Sequence, residues 1–420
     1  MITDYNSPRW TAEILDCSMP MSLDTYSVCA YGCLYCFAWF QKSHSQHGYL
    51  ERYVRSVDPE RVVGLFQNAL LGQDGALPKN LAQFCPYIRN RYVMQWGGLA
   101  DPLDNYEKQH GITLILLKFF DSIDYPLSIS TKGTWWTQDD RYMSLMAKHT
   151  HNWHVKVSIV CQDASKARVI EGGVPAPEER LEAIRRLAKV GITVTLRLRP
   201  YIIGASEDWP YLISSAAEAG ANSVTTEFLC LEARADQRTR KRYEAISRVV
   251  GYDLYRFYLD RSPQHGYKRL APELKRPIFE RMASHAHKLG MRFHVSDAAG
   301  RDFNDYPNCC GVPPEWHSQT SHFGGAIYMA KQNGQVTFQQ IESGLHELFD
   351  GLPFSAATGY NIGTTRARAQ TMGLSTVGWF RNKWNDTQSG TGLTRGYGGV
   401  LVPDGVDERG DIVFRYNGVS

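Results

Sequence analysis

The sequence lacks the features that mark membrane proteins and secreted proteins. Its longest apolar runs are too short to cross a bilayer, and one of them, 112–120, contains Lys118. The nine cysteines are odd in number and unevenly spread, which argues against a framework of disulfides. The first residues show no basic segment followed by an apolar one, so no signal peptide is expected. We therefore expect a cytoplasmic protein with reduced thiols and no membrane contact.

The sequence also lacks an excess of charge of either sign. It has 46 Lys and Arg against 43 Asp and Glu, a net charge of +3 that does not by itself indicate a nucleic-acid partner. No internal repeat and no low-complexity tract is present. A hydrophobic content of 43% and a charged content of 21% are typical of an ordinary globular protein.

What the sequence does contain is a close group of three cysteines, Cys29, Cys33 and Cys36, in the spacing C-x3-C-x2-C. Thiolates are soft ligands that suit iron–sulfur clusters or zinc. Three cysteines bind only three of the four irons of a [4Fe–4S] cluster, so one iron stays open for a reaction. A zinc site usually takes its remaining ligands from a second pair, and no C-x2-C pair follows. The spacing favours the cluster over structural zinc or a chance group of buried cysteines.

This spacing, with the aromatic Phe37 directly after the third cysteine, resembles the signature of the radical S-adenosylmethionine (SAM) superfamily. The resemblance implies that the open iron binds SAM. It further implies that the reduced cluster cleaves SAM to a 5′-deoxyadenosyl radical, which abstracts hydrogen from a substrate. A reductant such as flavodoxin or ferredoxin is then expected as a partner.

Short strands alternate with amphipathic helices after the cysteines, which predicts parallel βαβ units. Strands are predicted at 92–96, 126–131, 154–160, 192–198 and 223–229, and a sixth just before the cysteines. We therefore predict an α/β fold, a partial (β/α)6 TIM-type barrel of the radical SAM kind. The predicted domains are a leader (1–23), the barrel (24–299) and a C-terminal α+β extension (300–420) that could bind substrate. Helices are predicted at 105–120 and at 272–289, and the second is expected to break near Pro277.

Ligands of parallel α/β folds lie at the carboxyl ends of the strands, so residues just past each strand are candidates for binding SAM. Glycines there allow close backbone approach, and charged or hydroxyl side chains suit the ammonium, carboxylate and ribose groups of SAM. The candidates are Phe37, Gly97, Gly98, Asp101, Lys132, Ser158 and Arg197. The alternatives are a tight turn with a capping aspartate, a solvated lysine and exterior ion pairs.

Taken in order, the motifs G-x-x-D-P, T-K, S, E-x-x-x-P-x-P-x-x-R-L and R-P-x-I-x-G resemble the spore photoproduct lyase-like branch of the superfamily, over roughly residues 24–230. The resemblance implies SAM contacts at Asp101, Lys132 and Ser158. The chain departs from that branch in two places. Gly98 stands where those lyases have a hydrogen-donating cysteine, and Phe37 stands where they have a tyrosine. We therefore expect the scaffold and SAM site of that branch without the photoproduct-lyase reaction.

Two groups of residues in the second half carry further candidates. Cys309 and Cys310 are either thiols that return a hydrogen atom, ligands of a second metal, or structural residues. Basic residues interleaved with aromatics suit phosphate contact and base stacking, although they equally suit a cationic surface over a small core. The nucleic-acid candidates are Arg366, Arg368, Arg381, Lys383, Trp384 and Arg395.

The resemblance suggests a DNA substrate, namely an amino-acid-bearing thymine that is rearranged by an isomerase, as in phage-type thymine hypermodification. One alternative is radical modification of a peptide or small metabolite, with Arg197 and Arg199 binding a carboxylate. An alternative of another class is a non-catalytic DNA-binding protein with a structural cluster.

Overall fold

The computed structural model describes residues 1–11, 14–38, 54–232, 235–262, 267–316, 318, 320–350, 352, 373–390 and 392–418. The chain forms two compact units, each assembled from separate stretches of sequence. The first unit comprises Met1–Asn6, Asp24–Pro59 and Trp96–Asp297, and the second comprises Ser7–Leu23, Glu60–Gln95 and Ala298–Ser420.

A parallel sheet is the centre of the first unit. Its strands lie side by side in the order in which they occur along the chain: Leu127–Thr131, Trp153–Ser158, Thr193–Tyr201, Ser223–Phe228 and Arg292–Val295. Each neighbouring pair is parallel. Helices connect consecutive strands, as parallel pairing requires. The prediction of an α/β fold built from parallel strands is confirmed. The strand predicted at 92–96 is Met94–Trp96. The strand predicted near residues 25–28, just before the cysteines, does not form there, and the strand in that region is Met21–Leu23, which belongs to the second unit.

The strands are buried along almost their whole length, yet they carry polar side chains that bond to one another across the sheet. The Ser128 hydroxyl lies 2.9 Å from His154 Nδ1, and His154 Nε2 lies 2.7 Å from the Thr195 hydroxyl. That hydroxyl lies 2.6 Å from the hydroxyl of Ser223. Because each group has a partner, the sheet tolerates a row of buried polar residues. Burial lowers the pKa of His154 well below its usual value, so the ring is neutral.

Helices surround this sheet, and aspartates begin several of them. The α-helices of the first unit are Asn105–His110, Ile112–Ser122, Asp140–Lys148, Ala164–Ile170, Pro177–Lys189, Trp209–Glu218, Gln237–Val250, Leu254–Arg261 and Pro272–Lys288. The side chains of Asp104, Asp139 and Asp163 accept bonds from amides of the first turn, which is the usual role of an N-cap.

Two helix predictions need correction. The helix predicted over 105–120 is two helices, because Gly111 adopts a left-handed conformation with φ 70° between them. The break predicted at Pro277 is absent, since Pro272–Lys288 continues through it. A proline in the second turn removes one backbone bond, and the remaining turns carry the helix.

The second unit combines helices with a small antiparallel sheet. Its helices are Pro59–Leu70, Lys79–Ala82, Cys85–Arg89, Phe323–Asn333, Gln339–Phe349, Thr376–Trp384 and Leu393–Gly396. The strands Gln335–Val336, Ile412–Tyr416 and Leu401–Val406 pair antiparallel in that order. The rings of Phe323, Phe338 and Phe414 meet Trp384 in its core. Among the described residues of either unit, no helix combines the length and apolarity needed to cross a membrane.

Candidate active site

The three-cysteine loop lies in the first unit and is held by backbone pairing to a distant segment. Gly32–Cys33 forms a short antiparallel ladder with Glu171–Gly172. The Cys36 amide donates to the Cys33 carbonyl at 3.2 Å, which closes the turn between the second and third cysteines. Cys33 is buried, whereas Cys29 and Cys36 are partly exposed.

Two side chains from other elements fix the path of this loop. The Asp104 carboxylate, which caps helix Asn105–His110, also accepts the Ala30 amide at 2.5 Å. Arg242 on helix Gln237–Val250 donates to the carbonyls of Cys33 and Leu34, the latter at 3.1 Å. The loop is therefore anchored on both sides of its central cysteine.

The surroundings of the sulfurs fit a metal cluster. Burial raises the pKa of Cys29 well above its usual value and that of Cys33 to about 12. Buried thiols of this kind are neutral unless a bound metal holds them as thiolates. The Asp101 amide points at Cys29 Sγ from 3.4 Å, and the charge of Lys132 favours a thiolate at Cys33. Amide bonds to sulfur and a nearby cation are typical of iron–sulfur sites, so the three residues fit a [4Fe–4S] cluster.

Asp101 lies next to the cysteine loop, but its carboxylate already has protein partners. It accepts the Leu103 amide at 2.9 Å, the Thr131 hydroxyl at 2.8 Å and the Lys132 amide at 2.5 Å. These bonds tie the loop after Trp96 to the end of strand Leu127–Thr131. The geometry makes Asp101 a residue that positions Cys29 and Lys132.

Gly97, the first of the two glycines before Asp101, packs against protein backbone. Gly97 has φ +87°, and a Cβ there would lie 2.6 Å from the Ser130 carbonyl oxygen. The close approach therefore brings two strand ends together. Gly98 is half-buried. The next two amides, Leu99 and Ala100, donate to the Asp24 carboxylate at 2.7 and 3.2 Å. Sequence reasoning missed Asp24, because nothing in the local pattern around it points to a segment 75 residues away.

Lys132 points towards the cysteine loop. Its Nζ lies 5.8 Å from the centroid of the Tyr35 ring, a cation–π arrangement, and the side chain is half-buried. Phe37 follows the third cysteine and is 43% exposed. An ammonium group beside the cysteines can pair with an anionic ligand bound there.

A buried chain of polar groups links the cysteine loop to Ser158. The Tyr35 hydroxyl donates to the Glu171 carboxylate, which binds Arg180 Nη2 at 2.7 Å. Arg180 Nη1 donates to the Ser158 carbonyl at 2.7 Å, and the side chains of Glu171 and Arg180 are each 1% exposed. The E-x-x-x-P-x-P-x-x-R-L motif contains both residues, although the sequence alone assigned them no role.

The two arginines at the end of strand Thr193–Tyr201 have different surroundings. Arg197 Nη1 lies 3.5 Å from the Ser158 hydroxyl, beside the candidate SAM residues. Arg199 pairs with Glu227 and donates to the Ser296 hydroxyl at 3.1 Å. The structure thus gathers the cysteines, Asp101 and Lys132 directly, and joins Ser158 and Arg197 to them through Arg180.

Cys309 and Cys310 belong to the second unit and are buried there, 9% and 7% exposed. They pack in a small apolar cluster with Met19, Val93 and Val312. The buried Arg301 pairs with Asp16. Burial opposes the charge of this arginine, but the carboxylate of Asp16 raises its pKa.

The nucleic-acid candidates are mostly held within the second unit. Arg381 donates three bonds to Asp411 at 2.6–3.0 Å, and Lys383 pairs with Asp386 at 3.1 Å. Trp384 is fully buried and donates to the Ile412 carbonyl at 2.7 Å, so the prediction that it stacks on a base is corrected to a core role. Arg395 is exposed and lies 3.5 Å from the Gln388 side-chain oxygen. Arg366 and Arg368 lie outside the described residues.

No family model matches the chain. Uncharacterized proteins of Mycobacterium tuberculosis and Mycobacterium bovis are 25% identical to it over 248 residues, 55% of this chain and 68% of theirs. A variant of spore photoproduct lyase superimposes with a TM-score of 0.50 at 14% identity, covering 70% of this chain and 80% of that one. SuiB of Streptococcus suis, bound to SAM, superimposes with a TM-score of 0.41 at 14% identity, covering 66% of this chain and 51% of that one. The chain therefore shares its α/β fold with spore photoproduct lyase.

Proposed function

We propose that this protein is a radical SAM enzyme. The observation that carries the proposal is the position of the cysteine loop. The sulfurs of Cys29 and Cys33 lie near the carboxyl end of strand Leu127–Thr131. The Asp101 amide lies 3.4 Å from Cys29 Sγ, and the charge of Lys132, whose amide bonds to Asp101, favours a thiolate at Cys33. This edge of a parallel sheet is where such folds bind and transform ligands.

Cys29, Cys33 and Cys36 would hold a [4Fe–4S] cluster. When bound, the cluster and SAM supply a 5′-deoxyadenosyl radical that abstracts a hydrogen atom from the substrate. Arg242, Asp104 and the ladder to Glu171–Gly172 hold the loop, so that the three sulfurs keep their relative positions.

The remaining residues bind and orient SAM in this proposal. Lys132 presents a charge that suits the carboxylate of SAM, and Asp101 fixes the backbone on which Lys132 stands. Ser158 and Arg197 form the polar side of the site, and the exposed ring of Phe37 gives it an apolar side. Gly97 and Gly98 supply the tight turn that brings Asp101 to the cysteines.

The proposal is tested by SAM cleavage in anaerobically reconstituted, reduced protein. We expect 5′-deoxyadenosine to form, and we expect Cys33→Ala to abolish it together with the absorbance of the cluster. Cys161→Ala is the matched control, because this buried cysteine lies outside the loop. Lys132→Ala should keep the iron content and weaken SAM binding. Deoxyadenosine formation that persists in Cys33→Ala would refute the proposal.

For the substrate, we propose a thymine base in DNA that carries an amino-acid group and is rearranged. The family resemblance supports DNA, and the exposed Arg395 offers a phosphate contact in the described part of the second unit. An enzyme that acts on a base must also extrude it from the duplex. Gly98 and Phe37 stand where a photoproduct lyase has its hydrogen-relay residues, so repair of photoproducts is not proposed.

The substrate proposal is tested separately from the radical chemistry. Modified thymine deuterated at the reacting carbon should transfer deuterium to deoxyadenosine when it is presented in DNA. Binding to DNA should weaken with salt, and Arg395→Glu and the pair Arg366→Glu and Arg368→Glu should reduce it. Deuterium transfer from a peptide or a small carboxylate would replace DNA with that substrate class. DNA binding without any deoxyadenosine would instead indicate a binding protein with a structural cluster.

We propose that Cys309 or Cys310 gives a hydrogen atom to the substrate radical and becomes a thiyl radical. One electron from the reductant and one proton from solvent then restore the thiol. Single substitutions to alanine should leave deoxyadenosine formation intact and divert the substrate radical to side products. Unchanged products from both variants would make the two thiols structural.

A further inference from the structure

Three potential metal ligands converge in the first unit, away from the cysteine loop. Asp124 lies in the turn that precedes strand Leu127–Thr131, and His149 and His151 lie in the turn that precedes strand Trp153–Ser158. All three are therefore at the amino ends of the parallel strands, whereas Lys132 and Ser158 are at the carboxyl ends. Strands of five to six residues separate the two edges by roughly 17–20 Å.

The three ligand atoms have the spacing that a tetrahedral ion needs. Asp124 Oδ1 lies 3.2 Å from His149 Nδ1 and 3.0 Å from His151 Nε2. All three atoms lie within 4.8 Å of one another. Zinc bonds of 2.0–2.1 Å in a tetrahedron place neighbouring ligand atoms about 3.3 Å apart. The two measured separations are close to that edge length.

The supporting contacts orient His149 as a metal ligand. Its side chain is 5% exposed and stacks on Trp153, with ring centroids 4.2 Å apart and an interplanar angle of 15°. Its Nε2 lies 2.8 Å from Asp121 Oδ1. Without an ion, Nδ1 can carry a proton that Asp124 Oδ1 and the Asn152 oxygen accept. A metal ion would take the place of that proton, while Asp121 holds the proton on Nε2. A carboxylate behind a histidine is the usual outer-shell arrangement of zinc sites.

Asp124 is oriented in the same way. The Asn152 side-chain amide donates to Asp124 Oδ1 at 2.8 Å and to its carbonyl oxygen at 3.1 Å. The Asn152 oxygen also lies 3.3 Å from His149 Nδ1. Lys148 is the cation nearby, and it pairs with Asp121 at 3.3 Å, on the far side of the imidazole ring. The positive charge of Lys148 is therefore separated from the three ligand atoms by Asp121 and the His149 ring.

We propose that Asp124, His149 and His151 form a site for a divalent transition-metal ion, with zinc as the ion of best fit. Nitrogen and carboxylate donors at tetrahedral spacing suit zinc, and water can complete the set because Asp124 and His151 are exposed. The ion joins the turn after helix Ile112–Ser122 to the turn after helix Asp140–Lys148. A metal bound to the folded chain stabilises it by mass action.

The test uses protein whose cluster has been reconstituted anaerobically, so that the three cysteines are occupied. Zinc chloride is titrated at pH 7.5, and binding is followed by calorimetry and by the thermal unfolding midpoint. We expect one zinc per chain and a higher midpoint. His151→Ala should abolish both effects, because it removes one of the three ligands. The variant should still fold, since the side chain of His151 is 58% exposed. Asp121→Asn should weaken zinc binding about 10–100-fold.

His110→Ala is the matched control, because His110 is an exposed histidine of the same unit and should leave zinc binding unchanged. Cobalt(II) should give visible bands without a thiolate charge-transfer band. The proposal is overturned if zinc has no effect on the wild-type protein, or if His151→Ala binds it with unchanged affinity. Deoxyadenosine formation is measured in parallel and is expected to be equal with and without zinc, so either result is independent of the radical SAM proposal.

Discussion

Single residues decide how the cysteine loop is held, and the buried pair Glu171 and Arg180 shows this most clearly. A buried charge left without its partner lowers the stability of the fold by far more than the intact ion pair contributes to it. Glu171 has three connections at once, to Tyr35, to Arg180 and through the backbone to Cys33. Removal of its charge therefore affects both stability and the cysteine loop.

Glu171→Gln should destabilise the chain by about 3–5 kcal/mol, because Arg180 would keep a buried charge without its counterion. Chemical denaturation followed by circular dichroism measures the change. Glu178→Gln is the control, since Glu178 is exposed in the first turn of helix Pro177–Lys189, which carries Arg180, and should shift stability by less than about 0.5 kcal/mol. Equal effects of the two substitutions would contradict the role given to the pair.

His154 makes stability depend on pH. Burial, with the charges of Lys156 and His294, lowers its pKa well below 6.5, so the folded state resists a proton that the unfolded chain accepts. The neutral ring of His154 therefore contributes fully to the free energy of unfolding above about pH 6.5. This contribution is lost as pH falls, by up to about 1.4 kcal/mol per pH unit. In His154→Gln, the free energy of unfolding should change less steeply between pH 6.5 and 5.5. The slope should decrease by an amount equivalent to about one proton. The same slope in His154→Gln and in the exposed control His287→Gln would exclude this account.

At the scale of elements, the sequence predicts the strands well and their connections less well. Alternation of β-branched residues with helical segments locates the strands of the parallel sheet to within a few residues. The two helix corrections have local causes, a left-handed glycine at 111 and a tolerated proline at 277. The row of polar residues on the strands is visible in the sequence, but its pairing depends on register, which only the folded sheet determines.

The turn after strand Met94–Trp96 gives an element-scale prediction. Gly97→Ala would force a side chain into φ +87° and within 2.6 Å of the Ser130 carbonyl, so we expect a loss of at least about 2 kcal/mol and a lower iron content. Gly64→Ala, in helix Pro59–Leu70 with nothing within 4 Å, should instead stabilise by about 0.5–1 kcal/mol. Thermal unfolding and iron analysis of the two variants provide the comparison. Similar behaviour of both would rule out the packing argument.

At the scale of the molecule, the sequence indicates the residues of the candidate site but not the distant contacts that hold them in place. The cysteine spacing and the ends of the predicted strands indicate Cys29, Asp101 and Lys132 as candidates, and the fold brings these residues together. A local sequence pattern is enough to locate cysteine ligands and the edge of a parallel sheet. The contacts of Asp24 and Arg242 could not be foreseen, since each joins segments far apart in the chain. The aromatic and basic residues near the C-terminus have an ambiguous pattern, and only the burial of Trp384 distinguishes core from surface.

Arg242 connects the loop to a helix more than 200 residues later, so it tests whether the first unit acts as a whole. Arg242→Ala should preserve the far-ultraviolet spectrum and release iron about tenfold faster to a chelator, since bonds from a charged donor contribute about 1.5–3 kcal/mol. Arg238→Ala, exposed on the same helix, is the control. Iron loss at the wild-type rate in Arg242→Ala would remove this residue from the support of the loop.

The row of side chains from Ser128 to Ser223 has one further consequence. A neutral imidazole carries a single N–H, so His154 can donate to only one of its two hydroxyl neighbours and must accept from the other. The tautomer of His154 thereby sets the direction of every O–H along the row. The two tautomers give two arrangements in which all the hydrogen bonds of the row point in opposite directions. Nitrogen-15 shifts of that one ring would report how hydrogens are arranged on four neighbouring strands.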